Sequence, residues 1–363
     1  MTASDPRGRK ISIAGFDIHD GSECYVIAEV GHNHQGSLEQ ALRMLEEAHR
    51  CGANAVKIQK RDNASLYTRD FFNRPYENEN SFGPTYGAHR EALELGKDEW
   101  RELREYAREL EIGFVAAAFD FPSADFLAEL DLTAFKFASG DLKNTPLLRH
   151  VARFGKPMFL STGGGTMEDV ERAVDAILPI NDRLGVLQCT ATYPAAAEEL
   201  NLDVITAYRE RFPELVVGLS DHQSGIAMAV VAYMLGARVI EKHFTLDHAW
   251  KGTDHAFSLM PEGMRRLVRD LQRIPQARGD GVKRPLQSEQ PALRKMGKKL
   301  VAARDIAAGA TLTAADVTMK SPGDGLPAYE LPNVLGRVTL KALAVDDNIS
   351  LEMLAERPGS TGR

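Results

Sequence analysis

The sequence predicts an α/β protein: a (β/α)8 TIM barrel followed by a small β-rich domain. Three observations carry this: eight short apolar runs, amphipathic segments between them, and a change of pattern after residue 296. The runs are Tyr25–Glu29, Ala55–Gln59, Gly113–Ala118, Ala134–Ala138, Pro157–Ser161, Leu184–Cys189, Val216–Ser220 and Val239–His243. They are almost continuously apolar, as strands covered on both faces must be. Leu38–Cys51, Glu99–Leu110, Thr145–Phe154 and Val170–Leu178 have helical spacing. Eight strand–helix alternations argue for a closed barrel over an open doubly wound sheet. The insert from Arg61 to Lys97 is polar and rich in Asn, Gly, Pro and Tyr, and a loop of that length in a compact domain is usually functional. Residues 276–296 are rich in Arg, Lys, Gln, Gly and Pro without periodicity, which reads as a linker. The expected divisions are a barrel over 10–275, that linker, and a small domain over 297–355. In the small domain Leu300–Ala303, Val317–Lys320 and Val338–Ala342 look like short strands.

With 363 residues the chain is long enough for one large domain and one small one. The formal net charge of -7 gives no electrostatic reason to expect nucleic acid or an anionic membrane as a partner. An anionic substrate must therefore be held by a few placed cations. Three cysteines without metal-like spacing point to a reducing compartment. Met1 to Lys10 is polar and lacks the apolar stretch of a signal peptide. The expected location is the cytoplasm.

In a barrel of this kind the loops after the strands build the active site. Polar residues gather there: Glu29; Lys57 and Gln59; Lys136, Ser139 and Asp141; Ser161-Thr162-Gly163-Gly164-Gly165; Gln188 to Pro194; Ser220-Asp221-His222; and Glu241-Lys242-His243. Lys57 and Lys136 lie within apolar strands, where an unpaired ammonium is costly, so an anion contact is the better reading than a surface lysine. The Gly-rich run is an ordinary turn or, by exposing backbone N–H groups, a phosphate cradle. Glu29 is either a structural partner of a lysine or a catalytic carboxylate. His222 and His243 end adjacent strands, so their rings can converge on one metal ion and leave coordination positions open. His32 and His34 lie at the same mouth, as substrate contacts or as loop residues.

Several of these stretches carry a resemblance. Ala-Glu-Val-Gly-His-Asn-His-Gln-Gly from Ala28, Lys57-Ile-Gln, Gln188-Cys-Thr-Ala-Thr-Tyr-Pro, Gly218-Leu-Ser-Asp-His and Glu241-Lys-His-Phe-Thr-Leu-Asp resemble the sialic acid synthase family. Val301-Ala-Ala-Arg-Asp-Ile-Ala-Ala-Gly-Ala-Thr-Leu-Thr resembles that family's antifreeze-like (SAF) domain. The match runs in one order from about residue 10 to 353. It implies a phosphoenolpyruvate-dependent transferase that forms a carbon–carbon bond to an open-chain hexose and makes a nonulosonic acid. The hexose would be N-acetylmannosamine, mannose or a 6-phosphate of either.

On that resemblance Lys57, Lys136, Ser139, Ser161 and Ser220 hold phosphoenolpyruvate. His222 and His243 bind Mn²⁺ or Mg²⁺, Glu29 accepts a proton from water, and Gln59, Tyr193 and Asp254 meet the sugar. Asp254 is grouped with Glu29 as catalytic, and Asp141 with the substrate contacts. Four departures stand out. Ala117 occupies a position that is threonine in many bacterial members. Ala191 and Asp141 stand where those members often have asparagine and glutamate. Ser321 stands where they have an arginine that reaches the sugar's N-acetyl group. Arg74-Pro-Tyr, Ser81 to Arg90 and Trp250-Lys-Gly resemble instead the animal-type branch, which takes a hexose 6-phosphate. Arg74 and Arg90, with Tyr86, His89 and Lys251, are accordingly expected around a second phosphate. A homodimer with swapped C-terminal domains is expected, because the linker is long enough to cross. Two other readings are a Schiff-base pyruvate aldolase using Lys136 and a non-catalytic sugar-binding module.

Overall fold

A computed structural model describes residues 8–356; most of the polar stretch Met1–Lys10 lies outside the described residues. The chain divides into two compact units, Met1–Gly279 and Asp280–Arg363.

The first unit opens with a hairpin, β1 (Lys10–Ile13) and β2 (Phe16–His19), that was not anticipated. Its signal was present: Ile11, Ile13 and Ile18 alternate with polar residues, and Ala14 and Gly15 both turn with positive φ. Eight parallel strands follow: β3 (Tyr25–Gly31), β4 (Ala55–Lys60), β5 (Gly113–Ala118), β6 (Ala134–Phe137), β7 (Met158–Ser161), β8 (Leu184–Cys189), β9 (Val216–Asp221) and β10 (Val239–His243). They close as a barrel in chain order, β10 pairing with β3.

Alternation along these strands separates two apolar layers. Tyr25, Ile27, Ala55, Val115, Ala134, Phe159, Leu187, Val216 and Val239 fill the barrel interior, together with Ile11, Ile13 and Ile18 of the hairpin. Val26, Ala28, Val56, Ile58, Leu219 and Ile240 belong instead to the cluster shared with helices such as Leu38–Arg50 and Pro261–Arg278. The hairpin thus closes one end of the barrel, and the polar residues lie toward the strands' C-terminal ends.

Three expectations need correction. The insert after β4 is not one loop: it forms short helices at Asn63–Leu66, Arg69–Phe72 and Tyr86–Ala92, each opened by an Asp or Thr side chain accepting from a backbone N–H. The stretch 276–296 is partly helical, since Pro261–Arg278 runs into it and Gln290–Met296 lies within it. In the second unit β11 (Lys299–Ala302) pairs antiparallel with β12 (Val317–Lys320). Val338–Ala342, however, makes only isolated bridges, Val338 to Thr311 and Thr339 to Leu354. This unit packs Leu300, Ile306, Leu312, Val317, Val334, Leu343, Ile349 and Leu354 as its own core. Cys24, Cys51 and Cys189 are buried free thiols. Among the described residues no helix is long and apolar enough to cross a membrane.

Candidate active site

The inward positions change character about halfway along each strand. Beyond Ile27, Ala55 and Val239 the next inward residues are Glu29, Lys57 and Glu241, and these face one another across the barrel. Lys57 Nζ lies 2.9 Å from Glu241 Oε1 and 3.3 Å from Glu29 Oε2. Ser220 Oγ donates to Glu241 Oε1 at 2.9 Å. Lys136 Nζ lies 3.7 Å from the same oxygen and donates to Ser161 Oγ at 2.5 Å and to Phe137 O at 2.8 Å. All four charged groups are buried.

That proximity splits their acidities. Burial alone raises a carboxylate's pKa, yet Lys136 and Lys57 together hold Glu241 down at about 2. Glu29 goes the other way: burial, aided by the charge on Glu241, raises it despite Lys57. Burial likewise depresses the Lys136 ammonium to about 8, while Glu241 and Glu29 keep Lys57 raised against its own burial. Two carboxylates with separated affinities for a proton are the arrangement that lets one accept it while the other stays ionised.

Above this layer lie the two histidines. Their ring centroids are 5.3 Å apart. His222 Nδ1 lies 2.7 Å from Thr190 O, which places the proton on Nδ1 and leaves Nε2 bare. Its ring stacks on Tyr193 at 4.0 Å. His243 is buried and kept neutral, its pKa pushed down to about 3 chiefly by burial. Its Nδ1 has no hydrogen-bond partner and lies 3.6 Å from Asp254 Oδ2. Two facing imidazoles, one with a ring nitrogen that has no partner, suit a divalent ion. Among the described residues no group of three His, Cys, Asp or Glu side chains is arranged to hold one.

A cavity of about 480 Å³ joins these groups to the insert after β4. It is lined by Glu29, Lys57, Gln59, Lys136, Ser139, Ser161, Tyr193, Ser220, His222, His243 and Asp254, by Arg90, His89 and Lys251 of the expected second phosphate group, and by His32. Gln59 Nε2 donates to Glu29 Oε1 at 2.7 Å. Ser139 Oγ accepts from Gly163 N at 3.0 Å, so that N–H of the Gly-rich run steadies a side chain.

Two predicted contacts lie elsewhere. Asp141 does not line the cavity; Asn144 Nδ2 donates to its Oδ1 at 3.1 Å. Both Ser139 and Asp141 were expected at the end of this strand, which closes at Phe137; Ser139–Asp141 is a 3₁₀ turn. With about three residues per turn, i and i+2 point apart. Arg74 is exposed and also outside the cavity. His34 is buried beside it without lining it.

Two residues carry weight that was not foreseen. Glu241 had been noted only as part of a polar strand end, although a carboxylate in an apolar strand was itself the signal. Arg61 had been assigned to the loop, yet it continues the inward series Lys57, Gln59. Its guanidinium is buried, lies 3.8 Å over the Phe119 ring, donates to Gln59 Oε1 at 2.7 Å and meets His32 Nε2 at 2.8 Å. Burial and neighbouring Arg90 lower its pKa, and burial plus Arg61 keep His32 neutral. Arg90 bonds the Tyr86 hydroxyl at 2.9 Å, and Lys251 Nζ lies 4.8 Å from the centroid of the Phe82 ring. The outer end of the cavity thus carries three cations, Arg61, Arg90 and Lys251, and among the described residues none of them forms an ion pair with a carboxylate; nearby Glu94 pairs with Lys60.

The comparisons with known proteins agree with this geometry. Residues 44–283 match the NeuB family and residues 299–355 the SAF domain. The N-acetylneuraminate-9-phosphate synthase of Mus musculus is 39% identical over 91% of this chain and 92% of its own length. The N,N'-diacetyllegionaminic acid synthase of Legionella pneumophila is 34% identical over 86% of this chain and 89% of its own. The crystal structure of N-acetylneuraminic acid synthetase from Leptospira borgpetersenii superposes with a TM-score of 0.68 at 31% identity, covering 78% of this chain and 95% of that one. The chain belongs to the NeuB family, the sialic acid synthases, and carries that family's barrel followed by a SAF domain.

Proposed function

We propose that this protein condenses phosphoenolpyruvate with the open-chain aldehyde of a hexose 6-phosphate, forming a nonulosonate 9-phosphate and releasing inorganic phosphate. One observation carries the reading: a single cavity has anion-binding groups at both ends, with the histidine pair and Glu29 in the barrel. Lys57, Lys136, Ser139, Ser161 and Ser220 suit the carboxylate and phosphate of phosphoenolpyruvate. Arg61, Arg90 and Lys251 suit a second phosphate, because guanidinium forks bind phosphate oxygens in pairs and among the described residues none of the three forms an ion pair with a carboxylate. The product names of the relatives from Mus musculus and Legionella pneumophila, a nonulosonate phosphate and a nonulosonic acid, have the same chemistry.

In this reading carbon 3 of phosphoenolpyruvate attacks the aldehyde carbon, the new alkoxide takes up a proton, and positive charge develops at carbon 2. Lys136 and Lys57 hold the anionic end in line, and the ionised Glu241 keeps both ammoniums in place. Water adds at carbon 2 and gives its proton to Glu29, whose raised affinity for a proton suits it to that task. The C–O bond to phosphate then breaks. A divalent ion, Mn²⁺ or Mg²⁺, held by His222 and His243 would polarise the aldehyde. Gln59, Tyr193 and Asp254 lie where the sugar's hydroxyls would be.

The Schiff-base reading has less support, since Lys136 Nζ is already engaged by Ser161, Phe137 O and Glu241. A non-catalytic module has no use for this charge network, and the chain belongs to a family of synthases.

The test is a comparison of mannose and N-acetylmannosamine, each with and without the 6-phosphate, at fixed phosphoenolpyruvate. The phosphorylated sugars are expected to show higher kcat/KM, and Arg90→Ala to lower it roughly 10–100-fold for them alone, the range for losing a charge-assisted pair. Equal rates for both forms and an inert Arg90→Ala would remove the second phosphate site. A homodimer in which the SAF domain of each chain covers the barrel mouth of the other would keep water from the cationic intermediate. Truncation after residue 296 is then expected to lower kcat far more than the Tm of the barrel; a truncated monomer of full activity would refute it.

A further inference from the structure

Asp221 and Lys242 form an ion pair that the proposed chemistry does not use. They face each other in register on β9 and β10, at the last paired position of that ladder. They share the outward parity of Leu219 and Ile240, so they point away from the cavity into the apolar layer under the helices. Lys242 Nζ lies 2.9 Å from Asp221 Oδ2, and the two side chains are 1% and 0% exposed. Lys242 also donates to Gln223 O, while Asp221 Oδ1 accepts from Gln223 N at 2.8 Å.

A pair buried this deeply contributes little net stability, because removing both charges from water offsets most of their attraction. Apolar residues of similar volume would serve the fold as well. Its position offers another reason. Each member directly precedes one of the two histidines, Asp221 before His222 and Lys242 before His243. The β9–β10 register ends at this rung, and beyond it the backbone at the two histidines is held by other elements, His222 O accepting from Ala195 N at 3.2 Å and His243 O from Leu259 N at 2.7 Å. The pair bridges the two strand ends at this rung, and through Gln223 it holds His222 from the residues on both sides.

We propose that Lys242 and Asp221 are positioning residues that set the separation and orientation of His222 and His243 for a divalent ion. This rests on the reading that the two histidines hold such an ion. A group that orients metal ligands typically changes metal affinity by roughly 10–100-fold when removed.

The experiment titrates Mn²⁺ into the full-length protein without substrates, following the free ion by electron paramagnetic resonance, with Tm measured in parallel. The isosteric double variant Lys242→Met/Asp221→Leu is expected to keep its Tm and to bind Mn²⁺ roughly tenfold more weakly or worse. Lys242→Arg, which preserves the charge pair, is expected to stay close to wild type. Asp221→Asn, which keeps an acceptor for Gln223 N–H but loses the charge, is expected to fall between. Wild-type affinity in the double variant overturns the proposal, as does loss of its fold, which would make the pair a stability element. An unchanged Asp221→Asn also counts against it. Wild-type protein that binds no Mn²⁺ removes the metal reading itself, and is distinct from a variant that binds as well as wild type.

Discussion

Lys136→Met is expected to lower kcat/KM for phosphoenolpyruvate roughly 10³-fold, the upper range for removing one preorganised electrostatic contact to a reacting anion. Lys136 is 1% exposed and among the largest fully buried side chains, and its ammonium lines the cavity. Methionine matches its length without the charge. The fold is expected to survive, because Glu241 keeps Lys57 at 2.9 Å and Ser220 at 2.9 Å. Steady-state kinetics beside a thermal melt make the check. Activity within a few-fold of wild type would show that the anion is held elsewhere. Trapping of a pyruvate adduct on Lys136 by borohydride would replace the condensation reading with the Schiff-base one.

Glu29→Gln is expected to lower kcat by roughly 10²–10⁴-fold, the usual contribution of a general base, while the KM for phosphoenolpyruvate changes little. Gln59 Nε2, which donates to Glu29 Oε1 at 2.7 Å, can still donate to the amide oxygen, and Lys57 keeps Glu241 as its partner at 2.9 Å, so the position stays filled. Single-turnover experiments with rapid quenching distinguish loss of the chemical step from slow product release. If the variant turns over at the wild-type rate, Glu29 is a structural partner of Lys57 and the proton goes to another acceptor. Glu241 is the obvious candidate by position, but Lys136 and Lys57 hold its pKa at about 2, so it is a far weaker base. The two carboxylates are therefore separable by experiment although they share one lysine.

Much of the site was legible because strand periodicity in a parallel barrel is strict. Lys57 and Gln59, Ser220 and His222, and Glu241 and His243 are i, i+2 pairs, and each pair faces inward. Where the reading failed, what mattered was where a strand ends. Arg61 continues the inward period of Lys57 and Gln59 beyond the expected strand end, while Asp141, expected as a substrate contact on the family resemblance, falls in a 3₁₀ turn after β6. Arg74 failed for another reason: in an insert of short helices, composition says which charges are present but not which way they point.

What the sequence determined by itself is the barrel, the order of its strands, the second domain and the chemical inventory at the strand ends. These follow from local hydrophobic period and from motifs that stay contiguous in the chain. Only the tertiary structure decided which charges meet. Lys57, on the second barrel strand, and Glu241, on the eighth, are 184 residues apart yet 2.9 Å from each other. That contact exists because the last barrel strand hydrogen-bonds to the first, and it separates the pKa values of Glu29 and Glu241. The pairing of the seventh and eighth barrel strands sets Lys242 against Asp221 outside the barrel and His243 beside His222 within it. A side chain's acidity depends on what lies a few ångströms away through a medium of low polarity, and in a closed barrel those neighbours come from distant parts of the chain.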